Sequence, residues 1–339
     1  MFKYTLQRLF WMMPTLFGIT LVCFLMVNLA PGGPVEQALS RIRFAASSGG
    51  GGGDSGMGVS TEVLDALKKQ YGFDKPLHTR YFIWLKNIVT LDFGESFSYK
   101  RPVIEVIIDK LPVSLQFGLA SLLLIYCISI PLGIGKAVRD GSHFDLWSSV
   151  SLMVAYSIPP LILGVLLRTY LSGGAFLDIL PLGELYSDGY QSLSFFGKIG
   201  DRIHHFILPL VCYVASGFTV VSFMMKNSLM EEIRMDYVRT ARAKGLDEHT
   251  VIYKHALRNA LIPILTGLGS FLTVFFAGSI IIEQVFNLDG MGLLSYKSIL
   301  SRDYNVIMAL IFIQSVLAML GRLISDVTYV LVDPRIDFQ

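Results

Sequence analysis

Six stretches of this chain are each long enough to cross a lipid bilayer, and none of them contains a charged residue. They are Leu9–Ala30, Leu111–Gly135, Leu146–Leu167, Phe206–Met225, Asn259–Ile282 and Tyr304–Gly321, between 18 and 25 residues each. A hydrocarbon core about 30 Å thick needs roughly 20 apolar residues at about 1.5 Å rise per residue. Together the stretches hold 131 of 339 residues, so function must be argued for a chain whose main solvent is lipid. The expected class is an all-α polytopic membrane protein with six transmembrane helices.

The remaining composition closes off other classes. Charged residues make up 16%, against about 25% in soluble proteins. A net charge of +2 and the lack of an aromatic-basic motif give no reason to expect nucleic acid. Cys23, Cys127 and Cys212 all lie inside apolar stretches, where a free thiol behaves as a small hydrophobe. The first apolar run follows Lys3 and Arg8 but is longer than the roughly 7–15 residues of a signal-peptide core. Pro31 directly after Asn28-Leu29-Ala30 argues against cleavage, so a retained first helix is expected.

Six spans place both termini on one side. Counting short connections only, one side carries Lys3, Arg8, Lys136, Arg139, Lys226, Arg234, Arg239, Arg242, Lys244, Lys254, Arg258 and Arg335. The short loops opposite hold Arg168, Lys198, Arg202, Lys297 and Arg302. The basic side is expected to be cytoplasmic, with both termini. Residues 31–110 then form an external segment between an N-terminal tail and first span (1–30) and a core (111–330). A short tail (331–339) returns to the cytoplasm. The external segment opens with Pro31-Gly32-Gly33-Pro34, which cannot continue a helix, and contains the five-glycine tether Gly49–Gly53. Ser60-Thr61 ahead of Val63, Leu64 and Leu67 predicts one amphipathic helix; Tyr81, Phe82, Trp84 and Leu85 predict another. It either packs on the membrane body or a partner, or is a solvated insert.

The longest cytoplasmic connection is Lys226–Arg258. Leu229, Ile233, Tyr237 and Ala241 recur every fourth residue and predict a helix continuing out of the membrane. Gly245 suits the left-handed position after a helix, and Asp247 suits the cap of a new short helix over 248–258 with Val251, Ile252 and Ala256 as its apolar face. Such a helix–glycine–helix arm suits docking on a cytoplasmic protein; the alternative is a solvated basic loop.

Chemistry-bearing patterns are few. The nearest Gly-Lys, Gly197-Lys198, lacks the glycine-rich phosphate cradle of a Walker loop. No His-Glu-x-x-His or Gly-x-Ser-x-Gly occurs. His204 and His205 are adjacent, so their rings leave a helix on different faces. No metal site, no bound cofactor and no enzymatic activity are expected. Inside the spans, Tyr156-Ser157-Ile158-Pro159-Pro160 predicts a kink, either a gate hinge or a static packing feature. Gly267, Gly269, Ser270, Ala277, Gly278 and Ser279 make one span rich in small residues, which permit close helix approach and favour packing between subunits over pore lining. Glu283, Arg168, Arg322 and Asp326 sit at span ends. Arg322 and Asp326 are spaced to pair, and all four are either functional or snorkel to the interface.

The segment Asp236–Leu246 (DYVRTARAKGL), followed by His255–Pro263 (HALRNALIP), resembles the coupling loop of ATP-binding-cassette importer permeases, in particular the oligopeptide/dipeptide branch. The general pattern opens Glu-Ala-Ala with a glycine four positions after the second alanine; here Arg239, Thr240, Ala241 and Gly245 stand there, and the glutamate is absent. Tyr4–Leu9, Pro14-Thr15-Leu16, Asn28–Pro34, Tyr71–Leu77, Phe93-Gly94-Glu95-Ser96, Asp303-Tyr304 and Val332–Asp337 are similar to the first permease of that branch. The doubled glycine at 32–33, the insert near 40–58 and the Ile336-Asp337-Phe338 tail resemble a YejB-like subgroup associated with oligopeptides and microcin C.

The resemblance implies a type I importer (MetI-like) permease fold in the bacterial inner membrane. It implies that a separate ATPase, single or tandem, binds ATP and magnesium and pushes on Arg239, Thr240, Ala241, Lys244, Gly245, Leu246, Asp247, Lys254 and His255. A second, related permease and a periplasmic peptide-binding protein complete the set of partners. Tyr156, Ser157, Pro159, Ser279 and Glu283 are the candidate path residues.

Overall fold

The computed structural model describes residues 2–29, 75–173, 176–267, 276 and 278–332. The Gly49–Gly53 tether, the helix expected near Val63, the insert, and the motifs at 31–34, 71–74 and 333–338 lie outside them. Among the described residues the chain is helical, and its strand content is an isolated bridge between Glu95 and Pro102. Among these residues four helices are long and apolar enough to cross a membrane, and a bent pair supplies a fifth crossing if counted as one.

The elements in chain order are α1 (Phe2–Leu29), α2 (Leu77–Val89), α3 (Val103–Val138), α4 (His143–Ser157), α5 (Pro160–Leu171), α6 (Phe195–Ile233), α7 (Asp236–Ala243), α8 (Glu248–Thr250), a π-helical turn (Val251–Ala256), α9 (Leu257–Ala260), α10 (Ile262–Thr266), α11 (Ile280–Val285), α12 (Met291–Leu300) and α13 (Tyr304–Val332). They divide into two compact units.

The smaller unit holds residues 9–108 and 297–316. Its aromatic run forms a helix as expected: α2 presents Tyr81 to α1, where the phenol meets the Thr20 hydroxyl at 3.0 Å and its ring packs edge-on against Phe17 and Phe24.

The larger unit holds residues 1–8, 109–296 and 317–339. At its centre α3 and α6 approach closely. A Cβ on Gly217 would stand 2.3 Å from the Ile125 side chain, the close approach that small residues permit between membrane helices. One core cluster gathers Ile134, Met225, Leu229, Val238, Val251 and Ile264. A second gathers Val113, Phe117, Leu208, Cys212, Ile282 and Phe286, with Phe117 stacked on Phe206 at 3.9 Å between centroids. A polar cluster joins α3, α4 and α6: Lys226 reaches Asp145 at 2.6 Å and Asp140 at 2.8 Å, while the fully buried Lys136 donates to the Ser149 hydroxyl at 2.7 Å.

Three expectations change. Leu146–Leu167 is not one continuous helix: α4 and α5 meet at a 92° bend, because Ile158 and Pro159 are extended and proline cannot continue the ladder of backbone bonds. Asn259–Ile282 is not one helix across its described residues. Helix α11 starts afresh at Ile280, behind extended Ser279 and left-handed Gly278. Asp326 pairs with Arg8 of α1 at 2.5 Å rather than with Arg322.

Candidate functional site

The cytoplasmic arm is built by a chain reversal. Helix α6 does not run on through Ala241 as its spacing predicts. It stops at Ile233, Met235 turns extended, and α7 begins at Asp236. The reason is burial: folding back puts Val238 and Ala241 into the cluster around Met225 and Leu229, where a straight helix would have carried them into water. Gly245 then takes φ +81°, a left-handed conformation that costs an L-residue with a side chain about 1–2 kcal/mol. Asp247 caps the next helix, accepting from the Thr250 amide at 2.9 Å. Both readings made from local sequence hold.

Beyond the cap, the expected helix forms as three joined pieces, α8, the π-turn and α9. Val251, Ile252, Ala256 and Ala260 face inward and are buried. Ser228 of α6 donates to the Ala260 carbonyl at 2.8 Å, fastening the arm to its parent helix. Across the glycine elbow, Arg242 clasps Glu248 with two bonds of 2.6 and 3.0 Å. The Arg242 guanidinium holds the Glu248 carboxyl below the usual glutamate range, and Glu248 in turn raises Arg242.

The outward face is therefore defined by subtraction. Arg239, Thr240, Lys244, Gly245, Leu246, Asp247 and Lys254 are exposed and His255 is half-buried, whereas Ala241 belongs to the core. Two features escaped sequence reasoning. His249 and Tyr253 stack at 4.5 Å on the exposed side, a pairing that their four-residue spacing could have signalled. A recess of about 350 Å3 opens beside the reversal, lined by Asn227, Met230, Glu231, Arg234 and Met235; nothing in the linear pattern marks it.

The candidate path residues do not form one group. Tyr156, Ser157 and Pro159 are exposed at the α4–α5 bend, and Ser157 donates back to the Met153 carbonyl at 2.8 Å. Ser279 caps α11, accepting from the Ile282 amide at 3.4 Å. Glu283 neither snorkels nor faces an opening: it is fully buried. Arg168 gives its guanidinium to the Val285 carbonyl at 2.6 Å. His204 and His205 take separate partners, the Ile179 carbonyl at 2.8 Å and the Gly183 carbonyl at 2.9 Å, so they do not converge on a metal.

Comparison with known proteins places this architecture. The family described as binding-protein-dependent transport system inner membrane component matches residues 129–338. The chain is 41% identical to the inner membrane ABC transporter permease protein YejB of Escherichia coli O157:H7, covering 99% of each chain. It is 42% identical to the peptidoglycan transport system permease protein YejB of Agrobacterium fabrum, over 99% of this chain and 98% of that one. It is 34% identical to the oligopeptide transport system permease protein AppB of Bacillus subtilis over the full length of both. A matching domain that contains the whole arm, together with full-length similarity to permeases, establishes that the chain belongs to the family of binding-protein-dependent transport system inner membrane components, the multi-pass permeases of the inner membrane.

Proposed function

We propose that this chain is one permease subunit of an ATP-driven importer of oligopeptides, with residues 239–258 as the arm through which a separate ATPase drives it. The observation that carries the coupling reading is the two-sidedness of the arm. Its apolar face is locked into the core of α6, while its opposite face presents Arg239, Lys244, Leu246, Asp247, Tyr253 and Lys254 to solvent. An element fixed on one side and bare on the other transmits a push from whatever binds the bare side. The chain has no phosphate cradle in its sequence, so ATP and magnesium belong to the partner.

The relatives' names support a peptide cargo. Two full-length relatives carry different words, oligopeptide for one at 34% identity and peptidoglycan for another at 42%. Peptidoglycan fragments, which are peptides carried on amino sugars, are thus the second reading, and microcin C-like peptides remain a narrower version of the first. In this reading both termini and the arm are cytoplasmic, six crossings form half of a two-permease core, the 31–110 segment meets a periplasmic binding protein, and the path runs past Tyr156, Ser157, Pro159 and Ser279.

The test is a mild-detergent pull-down of the tagged chain from its native membranes, followed by uptake of labelled peptides and labelled muropeptides into vesicles. Co-purification of an ATPase and a second permease, with ATP-dependent uptake of one cargo class, supports the proposal. A chain that purifies alone after crosslinking, or uptake that follows the proton gradient, overturns it.

A further inference from the structure

Glu283 is the most enclosed carboxyl group of the larger unit among the described residues, and its described hydrogen-bond partners are all donors. Its Oε1 accepts from the Ser114 hydroxyl of α3 at 2.8 Å, the Ser279 amide at 3.2 Å and the Tyr213 phenol of α6 at 3.4 Å. Its Oε2 accepts from the Leu293 amide, in the first turn of α12, at 2.8 Å. The donors are themselves cross-linked: Ser114 accepts from the Met291 amide at 2.8 Å, and Tyr213 accepts from the Ser279 amide at 3.1 Å. Two glycines make room for this cage. A Cβ on Gly278 would lie 2.2 Å from Oε1, and one on Gly290 would lie 2.6 Å from the Ser114 oxygen. On the exposed side of the same junction, Lys110 of α3 forms an ion pair with Asp289.

Short α11 has six residues and cannot hold its place by length. One acceptor group instead joins it to α3, α6 and α12. Removing an acceptor from buried donors costs more than a neutral bond is worth, because each donor is left desolvated and unpaired. We propose that Glu283 is a positioning residue that welds α3, α6 and the α11–α12 segment into one rigid block, so that these elements travel together through the transport cycle and the relative motion that opens the path occurs elsewhere in the chain. This rests on the transport reading but not on which cargo is carried.

The experiment uses the whole importer in liposomes, with cysteines in place of Lys110 and Asp289 and the native cysteines replaced. A short bis-methanethiosulfonate, reversible by reductant, then bridges α3 to the α11–α12 junction without entering the cage. Bridged importer is expected to take up peptide within about twofold of the unbridged form, the margin left by small packing changes. Uptake that stops on bridging and returns with reductant means that the cage opens during the cycle, and overturns the proposal.

The second arm adds Glu283→Gln, which places an amide donor among donors. Uptake is expected to fall about tenfold or more, the order of one lost charged hydrogen bond, and the bridge is expected to restore most of it. A Glu283→Gln importer that works normally, or one that the bridge does not rescue, overturns the positioning role. If the unaltered importer takes up no peptide, the cargo assignment fails instead, and the same samples are then compared by ATP hydrolysis.

Discussion

Ser96 donates its hydroxyl to Asp303 at 2.6 Å, joining two residues 207 positions apart. The Ser98 amide donates to the same oxygen at 2.9 Å, and Asn305 donates to the Glu95 carbonyl at 2.8 Å. Two short motifs that the sequence offered only as separate resemblances, Phe93–Ser96 and Asp303-Tyr304, are thus two halves of one joint in the smaller unit. Asp303 is fully buried, so its loss strands both donors. Asp303→Ala is expected to cost about 2–4 kcal/mol and Ser96→Ala about 1–2 kcal/mol. Asp303→Asn, which keeps an acceptor oxygen, should fall nearer the serine change. Thermal inactivation midpoints of the purified protein in detergent give the order; an Asp303→Ala protein as stable as the parent would contradict the joint.

Gly245 separates conformational strain from crowding. Its φ is +81° and a Cβ there meets nothing within 4 Å. Substitution therefore costs only the backbone term, about 1–2 kcal/mol for a residue that disfavours the left-handed region and less for asparagine. Gly245→Leu and Gly245→Val are expected to lower uptake while leaving membrane insertion and ATP hydrolysis in place; Gly245→Asn should retain most uptake. Lys244→Glu changes the exposed face alone and should weaken recovery of the ATPase in pull-downs. Normal uptake by Gly245→Leu would remove the elbow from the coupling argument.

The Arg242–Glu248 clasp carries a pH signature. Its partner holds Glu248 below the ordinary glutamate range, so the clasp stabilises the elbow above that range and is lost only as pH falls beneath it. ATPase recovery and uptake should show no dependence on this pair between about pH 6 and pH 8. Glu248→Gln should lower both at every pH in that window. A wild-type loss of coupling centred in that window and abolished by Glu248→Gln would refute the assignment.

Lys226 tests the polar cluster. It faces Asp145 and Asp140, and only the first is buried. Lys226→Met removes the ammonium bonded to Asp145, leaving Lys136 as its nearby cation, and is expected to destabilise by about 3–5 kcal/mol, whereas Lys226→Met with Asp145→Leu should recover part of that. Equal loss in the single and double variants, measured by thermal inactivation, would show that the pair is not coupled.

What could be read from the sequence follows the range of the forces involved. The elbow at Gly245, the cap at Asp247 and the buried face of Val251, Ile252 and Ala256 were legible because each is decided within about one helical turn. The reversal at Met235 was not, because it is driven by burial of Val238 in the cluster that also holds Met225, a placement that periodicity does not encode. The snorkelling alternative for Glu283 fails for the same reason. Its neighbours in sequence suggest an interface charge, while three of its donors, Ser114, Tyr213 and Leu293, come from other helices. Four of the six apolar stretches lie in helices long and apolar enough to cross a membrane, but apolarity does not encode helix direction, and the proline pair at 159–160 turned another stretch through a bend far sharper than a kink.

That bend also decides which solvent its surface tolerates. A helix end leaves several carbonyls without intrahelical donors, and hydrocarbon supplies none. Pro159 and Pro160 have no N–H, so the start of α5 shows few bare donors; Pro159's own carbonyl is taken by the Leu163 amide at 3.0 Å. The last carbonyls of α4 lie beside exposed Tyr156 and Ser157 and need donors from outside their own helix. Acyl chains cannot hydrate them. The bend must therefore meet water or protein rather than acyl chains, so an apolar stretch long enough to span the bilayer carries one point that lipid alone cannot surround.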